Sequence, residues 1–156
     1  MAEITLQDIA HSYNPEAADK TYALNRFDMK WVDGGRYAIL GPSGCGKTTM
    51  LNIMSGIVRP SEGRLLFDGV DVTDHTTAER NIAQVFQFPV IYGTMTVQDN
   101  LAFPLVCRGY DKAFIKAKVA EVSEALNLEG LLTQSANKLT ADQKQLISLG
   151  RGLVRD

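Results

Sequence analysis

The stretch Gly41-Pro42-Ser43-Gly44-Cys45-Gly46-Lys47-Thr48-Thr49 decides the reading of this chain, because it is a complete G-x-x-x-x-G-K-[ST] phosphate loop. Its glycines let the backbone curl so that several N–H groups face one concavity at the start of a helix, whose dipole adds to the attraction for an anion. In that pattern Lys47 reaches the β- and γ-phosphates of a nucleoside triphosphate as a compact point charge, and the Thr48 hydroxyl sits on the accompanying Mg2+. Thr49 is expected to start the helix proper. The fixed positions coincide by chance on the order of once in a few hundred chains of this length. Context sharpens the signal. Residues 36–40, Arg36-Tyr37-Ala38-Ile39-Leu40, form a short apolar run that predicts a strand entering the loop, and Met50, Leu51, Ile53, Met54 and Ile57 recur at helical spacing after it. A ligand-free glycine turn between strand and helix is the bland alternative.

Upstream, Ile4, Leu6 and Ile9 predict a strand, residues 14–20 a polar loop, and residues 22–32 a second strand with Phe27, Met29 and Trp31 alternating on one face. Asp33-Gly34-Gly35 is the turn that delivers the chain to the phosphate-loop strand. Downstream, Gly56 and Pro60 end the helical pattern, residues 64–67 read as a strand, and Asp68-Gly69 turns it into Val70-Asp71-Val72. Residues 82–86 read as a further buried strand. Beyond Gln87 the character is helical. Residues 96–106 form a helix disturbed at Pro104, residues 111–126 carry Ile115, Val119, Val122 and Leu126 on one face, and a last helix runs from about Asp142 with Leu146, Leu149 and Leu153. There are no internal repeats or low-complexity tracts.

The chain has 156 residues, 45% of them hydrophobic, enough for one domain with a substantial core. A net charge of -2 argues against a nucleic-acid partner, which needs a basic stripe to neutralise phosphates. No apolar stretch approaches the roughly 18 residues of a spanning helix, and Glu3 and Asp8 stand where a signal peptide would be basic and then apolar. Direct membrane insertion is therefore not expected. Cys45 and Cys107 are too few for a disulfide framework, and a cross-link at Cys45 would jam the phosphate loop, which points to a reducing cytoplasm.

Taken together these landmarks resemble the ATP-binding subunits of ABC transporters over nearly the whole chain. The resemblance implies an α/β fold with a P-loop NTPase core of the RecA-like kind. Residues 1–35 would be an antiparallel β entry subdomain, 36–87 the P-loop core and 88–156 a helical subdomain. It also implies ATP and Mg2+ as cofactors. Tyr13 matches the aromatic that stacks on adenine, a contact worth about 1–3 kcal/mol in comparable base stacking. Gly41, Pro42, Ser43, Gly44, Cys45, Gly46, Lys47, Thr48 and Thr49 match the nucleotide cradle, with Lys47 catalytic and Thr48 on the metal. Gln87, in Val85-Phe86-Gln87, is similar to the Gln of the Q-loop, whose amide oxygen would ligate Mg2+ or hold the attacking water. The plainer readings are a turn-exposed Tyr13 and a Gln87 that merely caps a strand end.

The run from Phe88 to Val97 is similar to the segment that importers of this family present to their membrane subunits, and with Asp99-Asn100-Leu101-Ala102-Phe103 it looks most like the carbohydrate-importer branch. Residues 81–89 and 139–145 resemble the glycerol-importer ATP-binding proteins more closely still. These matches imply transmembrane permease subunits as partners and a peripheral place on the cytoplasmic face of the inner or plasma membrane.

The signature motif of the family, Leu-Ser-Gly-Gly-Gln, reads Leu139-Thr140-Ala141-Asp142-Gln143 here. Thr140 and Gln143 keep the polar groups that would meet ATP held by a second ATP-binding subunit. Ala141 and Asp142 replace both glycines, and a carboxylate beside a triphosphate repels it. Thr140-x-x-Gln143 is equally a capping box that starts a helix with no nucleotide near. The departure favours a different rather than an identical second subunit.

In the family, an apolar strand ending in the metal-ordering Asp and the general-base Glu follows the last helix, and a switch His comes later. None of these occurs before Asp156, and His11 and His75 both precede the signature. The expectation is a truncated segment of a longer subunit, with the C-terminal part of its sheet missing, that binds Mg·ATP but hydrolyses it poorly. Two other functions fit less well, a soluble non-transport ATP switch of the same superfamily and a phosphate-loop kinase; a third, an ATP-binding module without turnover, is close to what is expected of this truncated segment. The transported substrate is not legible, since the permease and an external binding protein choose it.

Overall fold

The computed structural model describes residues 2–16 and 19–155, so Ala17 and Ala18 of the expected polar loop lie outside the described residues. Two compact units form, one running through Ile82 and the other beginning at Ala83.

The first unit is a four-stranded antiparallel sheet with one helix. Strands β1 (Ile4–His11), β2 (Leu24–Trp31), β3 (Glu62–Phe67) and β4 (Val70–Asp71) lie in the order β2-β1-β3-β4. Strict alternation along β1 would put Leu6 and Asp8 on the same face. Instead the register slips between Leu6 and Ile9, with Asp8 at φ 50°, and this bulge turns Ile9 inward while Asp8 stays in solvent. Asp68 and Gly69 both have positive φ, 49° and 78°, the type I′ hairpin combination expected of an Asp-Gly pair. Helix α1 (Lys47–Ser55) packs Met50, Ile53 and Met54 against Leu6, Ile9, Leu24, Leu65 and Phe67. These i, i+3 and i+4 positions are the apolar stripe foreseen after the phosphate loop.

The second unit is helical. Helices α2 (Val97–Cys107), α3 (Lys112–Ala125) and α4 (Ala141–Leu153) enclose Val97, Leu101, Leu105, Val119, Val122, Leu128 and Ile147. Each has a side-chain N-cap: Thr96 in a capping box with Asp99, Asp111 accepting from the Ala113 and Phe114 amides, and Thr140 in a capping box with Gln143. Gly150 marks a close approach, because a Cβ there would lie 2.5 Å from the Leu101 side chain. A larger residue there would force the Leu101 side chain to shift.

Four expectations are corrected. Residues 36–40 form no strand and have no ladder partner among the described residues, and Leu40 is 90% exposed. Apolar character selects a strand only where a neighbour takes its N–H and C=O groups. Residues 82–86 likewise run without a ladder, with Val85 and Phe86 exposed. Pro104 sits inside α2 without ending it, since a proline forfeits one main-chain bond while the buried Leu101 and Leu105 on either side hold the helix in place. Helix α1 begins at Lys47 rather than Thr49, because Gly46 at φ 92° turns the chain directly into it.

Candidate functional site

The loop from Gly41 to Gly46 leads straight into α1, and its chemistry follows from what that helix lacks. Gly46 is the N-cap residue in left-handed conformation, no side chain caps the helix, and no acidic residue stands in its first turn. The first amides of an α-helix have no acceptor within it, so those of Lys47, Thr48 and Thr49 remain open to an anion, and the helix dipole places partial positive charge there. Glycine is required at position 46 on two counts: its positive φ, and the Ala23 carbonyl oxygen 2.7 Å from where a Cβ would stand.

Lys47 folds back across the loop. Its Nζ donates to the Gly41 carbonyl at 2.8 Å and to the Pro42 carbonyl at 2.7 Å, and lies 3.7 Å from Cys45 Sγ. These bonds fix the loop's curvature and hold the ammonium over it. Ser43, Gly44 and Cys45 form the exposed rim, and Cys45 is a free thiol. The Thr48 side chain is exposed, while Thr49 is buried and its Oγ1 lies 3.2 Å from Tyr13 Oη, where either hydroxyl can donate.

That last bond brings Tyr13 to the phosphate loop. The ring is 60% exposed, tethered at its hydroxyl by Thr49 and flanked edge-on by His11 at 4.6 Å. A tethered aromatic with an open face suits a flat heteroaromatic partner, and stacking of that kind contributes about 1–3 kcal/mol per base. His11 is itself buried, its Nδ1 3.2 Å from Ser61 Oγ, and desolvation lowers its pKa, so the ring beside Tyr13 is held toward neutrality.

Gln87, Thr140 and Gln143 belong to the second unit. Gln87 stands in an exposed bend directly after the segment that Gln145 pins by donating its Nε2–H to the Phe86 carbonyl at 2.9 Å. Thr140 and Gln143 bond each other: the Gln143 amide donates to Thr140 Oγ1 at 3.3 Å, and Gln143 Oε1 accepts from the Thr140 amide at 3.0 Å.

Sequence reasoning missed Asn100 and Arg151, which shape the segment after Gln87. Asn100 is fully buried. Its Oδ1 accepts from the Tyr92 amide and its Nδ2 donates to the Tyr92 and Thr96 carbonyls. Arg151 donates to the Val90 carbonyl at 2.7 Å and lies over the Tyr92 ring at 4.5 Å. An Asn on the buried face of α2, between the core residues Val97 and Leu101, was the available signal. Phe88 and Val90 stay exposed at 76% and 52% on this braced segment.

Among the described residues no three His, Cys, Asp or Glu side chains gather to hold a metal. In the first unit the Thr48 hydroxyl is a hard oxygen donor, the kind that fits a magnesium ion taking most of its ligands from phosphate and water. No helix among the described residues is long and apolar enough to cross a membrane.

Comparison with known proteins agrees with this geometry. The chain is 36% identical over its whole length to the sn-glycerol-3-phosphate import ATP-binding protein UgpC of Yersinia enterocolitica, and spans 42% of that relative. It is 39% identical over 155 residues to the trehalose import ATP-binding protein SugC of Mycobacterium tuberculosis, spanning 38% of it. Among solved structures, cbiO1 of Clostridium perfringens, part of the ABC transporter complex cbiONQ, superposes with a TM-score of 0.84 at 26% identity, covering 97% of this chain and 61% of that one. The ATP-binding cassette MJ0796, solved as a dimer in a post-hydrolysis state with ADP and Pi, also gives 0.84, at 25% identity over 97% of this chain and 69% of its own. Residues 24–156 match the family described as ABC transporter, and the chain belongs to that family.

Proposed function

We propose that this chain is the nucleotide-gripping part of an ABC importer's ATP-binding subunit, which couples ATP binding and hydrolysis to uptake of a small solute such as glycerol or a sugar. The observation that carries the reading is the uncapped N-terminus of α1, ringed by the Lys47 ammonium and the tethered Tyr13. In this reading the amides at the start of α1 hold the triphosphate and Lys47 exchanges or shares its carbonyl contacts with the β- and γ-phosphates. Tyr13 stacks on adenine. Thr48 and Gln87 would hold Mg2+, which supplies charge neutralisation on the transferring phosphoryl group.

The partners are a pair of transmembrane permease subunits and a second, different ATP-binding subunit, on the cytoplasmic face of the membrane. The exposed Phe88 and Val90, on a segment braced by Asn100 and Arg151, support a docking surface for the permease. The names of the relatives support solute import as the task, and the solute itself rests on those names alone. The test is ATP-driven uptake of glycerol 3-phosphate or trehalose into vesicles holding the permease and the full-length subunit. Uptake that disappears with Lys47→Ala supports the reading. A subunit that binds ATP yet neither co-purifies with a permease nor supports uptake contradicts it, in favour of a non-transport ATP switch.

A further inference from the structure

We propose that Arg80 is a positioning residue for the phosphate loop, acting by clamping the far end of α1. The proposal rests on the nucleotide reading of the loop. Arg80 is only 5% exposed, and its guanidinium engages four main-chain carbonyls. Nη1 donates to the Ile53 carbonyl and, at 3.1 Å, to that of Met54; Nη2 donates to the Thr73 carbonyl at 2.8 Å; Nε donates to the His75 carbonyl at 3.0 Å.

Ile53 and Met54 lie in the last turn of α1, where carbonyls lack the usual amide four residues on; that of Ile53 also accepts from the Gly56 amide at 3.1 Å. The helix carries no basic residue of its own there, so Arg80 supplies from another segment the cation that the negative end of the dipole favours. Gly56 follows at φ 79°, and a Cβ on it would lie 2.9 Å from Arg80 Nε. The backbone has left room for this one side chain.

A nine-residue helix is a rod about 14 Å long. Its N-terminal end carries Lys47, Thr48 and the open amides, and it has no cap to hold it. Its pose is set by Met50, Ile53 and Met54 in the core and by the fork at its C-terminal end. Pivoting about a loosened end would displace the phosphate donors, and misplacement by about an ångström suffices to lower transition-state or ligand complementarity by orders of magnitude. The planar fork matters as well as the charge, because a lysine ammonium presents its three donors from one point and cannot span four carbonyls on two segments. The clamp also ties α1 to residues 73–75.

The experiment measures ATP affinity by calorimetry on the full-length polypeptide, wild type against Arg80→Lys, with Leu128→Ala, in the separate core of the helical unit, as a destabilised control that does not touch α1. Wild type binds ATP. Well below its melting transition, Arg80→Lys is expected to bind about tenfold more weakly. Leu128→Ala, melting at least as early, stays within about twofold. Wild-type affinity in Arg80→Lys, or weakening in both variants in proportion to lost melting temperature, overturns the proposal. A readout on the unmutated protein stands beside it: Mg·ATP is expected to shift the Arg80 Nε–H resonance and slow its exchange, and an unchanged resonance in the bound state overturns the clamp. A wild type that takes up no ATP overturns the nucleotide reading itself, and this proposal with it.

Discussion

Helices α1 and α4 each begin at a motif that the sequence led us to expect near nucleotide, yet their first turns are built in opposite ways. Thr140 and Gln143 satisfy each other at the start of α4, each accepting the other's amide, and Asp142 adds a carboxylate to the first turn. The start of α1 has a left-handed glycine, no cap and no acid, and a lysine fastened above it. A capping box quenches the positive end of a helix from within. An anion site leaves that end unquenched and spends glycines on keeping it so. The difference separates a helix terminus whose amides are satisfied from within from one whose amides are left open.

The largest expected effect breaks the open end. Lys47→Ala should weaken ATP binding by about a hundredfold or more, since a charge-assisted contact to phosphate and two loop-fixing bonds vanish together. Equilibrium titration with a fluorescent ATP analogue checks it. Next, Tyr13→Ala should cost about tenfold in affinity for ATP, from the stacking scale of about 1–3 kcal/mol, while affinity for inorganic triphosphate, which has no base, stays unchanged.

At the closed end, Thr140→Ala should lower unfolding free energy by about 1 kcal/mol through loss of the cap, seen as a lower denaturant midpoint, and leave ATP affinity of the isolated subunit intact. A fall in that affinity would mean that the hydroxyl does more than cap. The smallest effect concerns pH. Tyr22 and Lys20 hydrogen bonds, with Arg26 nearby, push the Glu62 pKa down to about 2. A depressed folded-state pKa stabilises fully above the unfolded value of 4.5 and less and less as pH falls toward 2. His11, whose pKa is lowered by burial, must gain a proton on unfolding below its ordinary 6.5, so it too erodes stability on acidification, in an earlier window. Glu62→Gln should flatten the lower window and leave the upper one, as denaturation followed across pH 2–7 would show.

The phosphate loop was legible because its chemistry is local: three glycines, a lysine and a threonine at fixed spacing act through their own backbone. The Thr140 capping box and the Asp68-Gly69 hairpin were legible for the same reason; that of Thr96 and Asp99 was not read. Residues 36–40 and 82–86 were misread because strand identity depends on a neighbour, and apolar composition says nothing of whether one is bonded there. The bulge at Asp8, which re-phases β1 so that Ile9 faces inward, shows in the sequence only as the odd interval from Leu6 to Ile9, which was not read as a bulge. Arg80 escaped notice because the four carbonyls that it joins belong to Ile53, Met54, Thr73 and His75, and carbonyls carry no sequence signature.

The contrast between the two helix ends is tested most directly by amide resonances of the full-length subunit as Mg·ATP is added, at concentrations where it remains monomeric. The account predicts large shifts at Gly44, Gly46, Lys47, Thr48 and Thr49, and none at Thr140 through Gln143. Unmoved amides at the start of α1 in the ATP-bound state, or shifts confined to the start of α4, would contradict it.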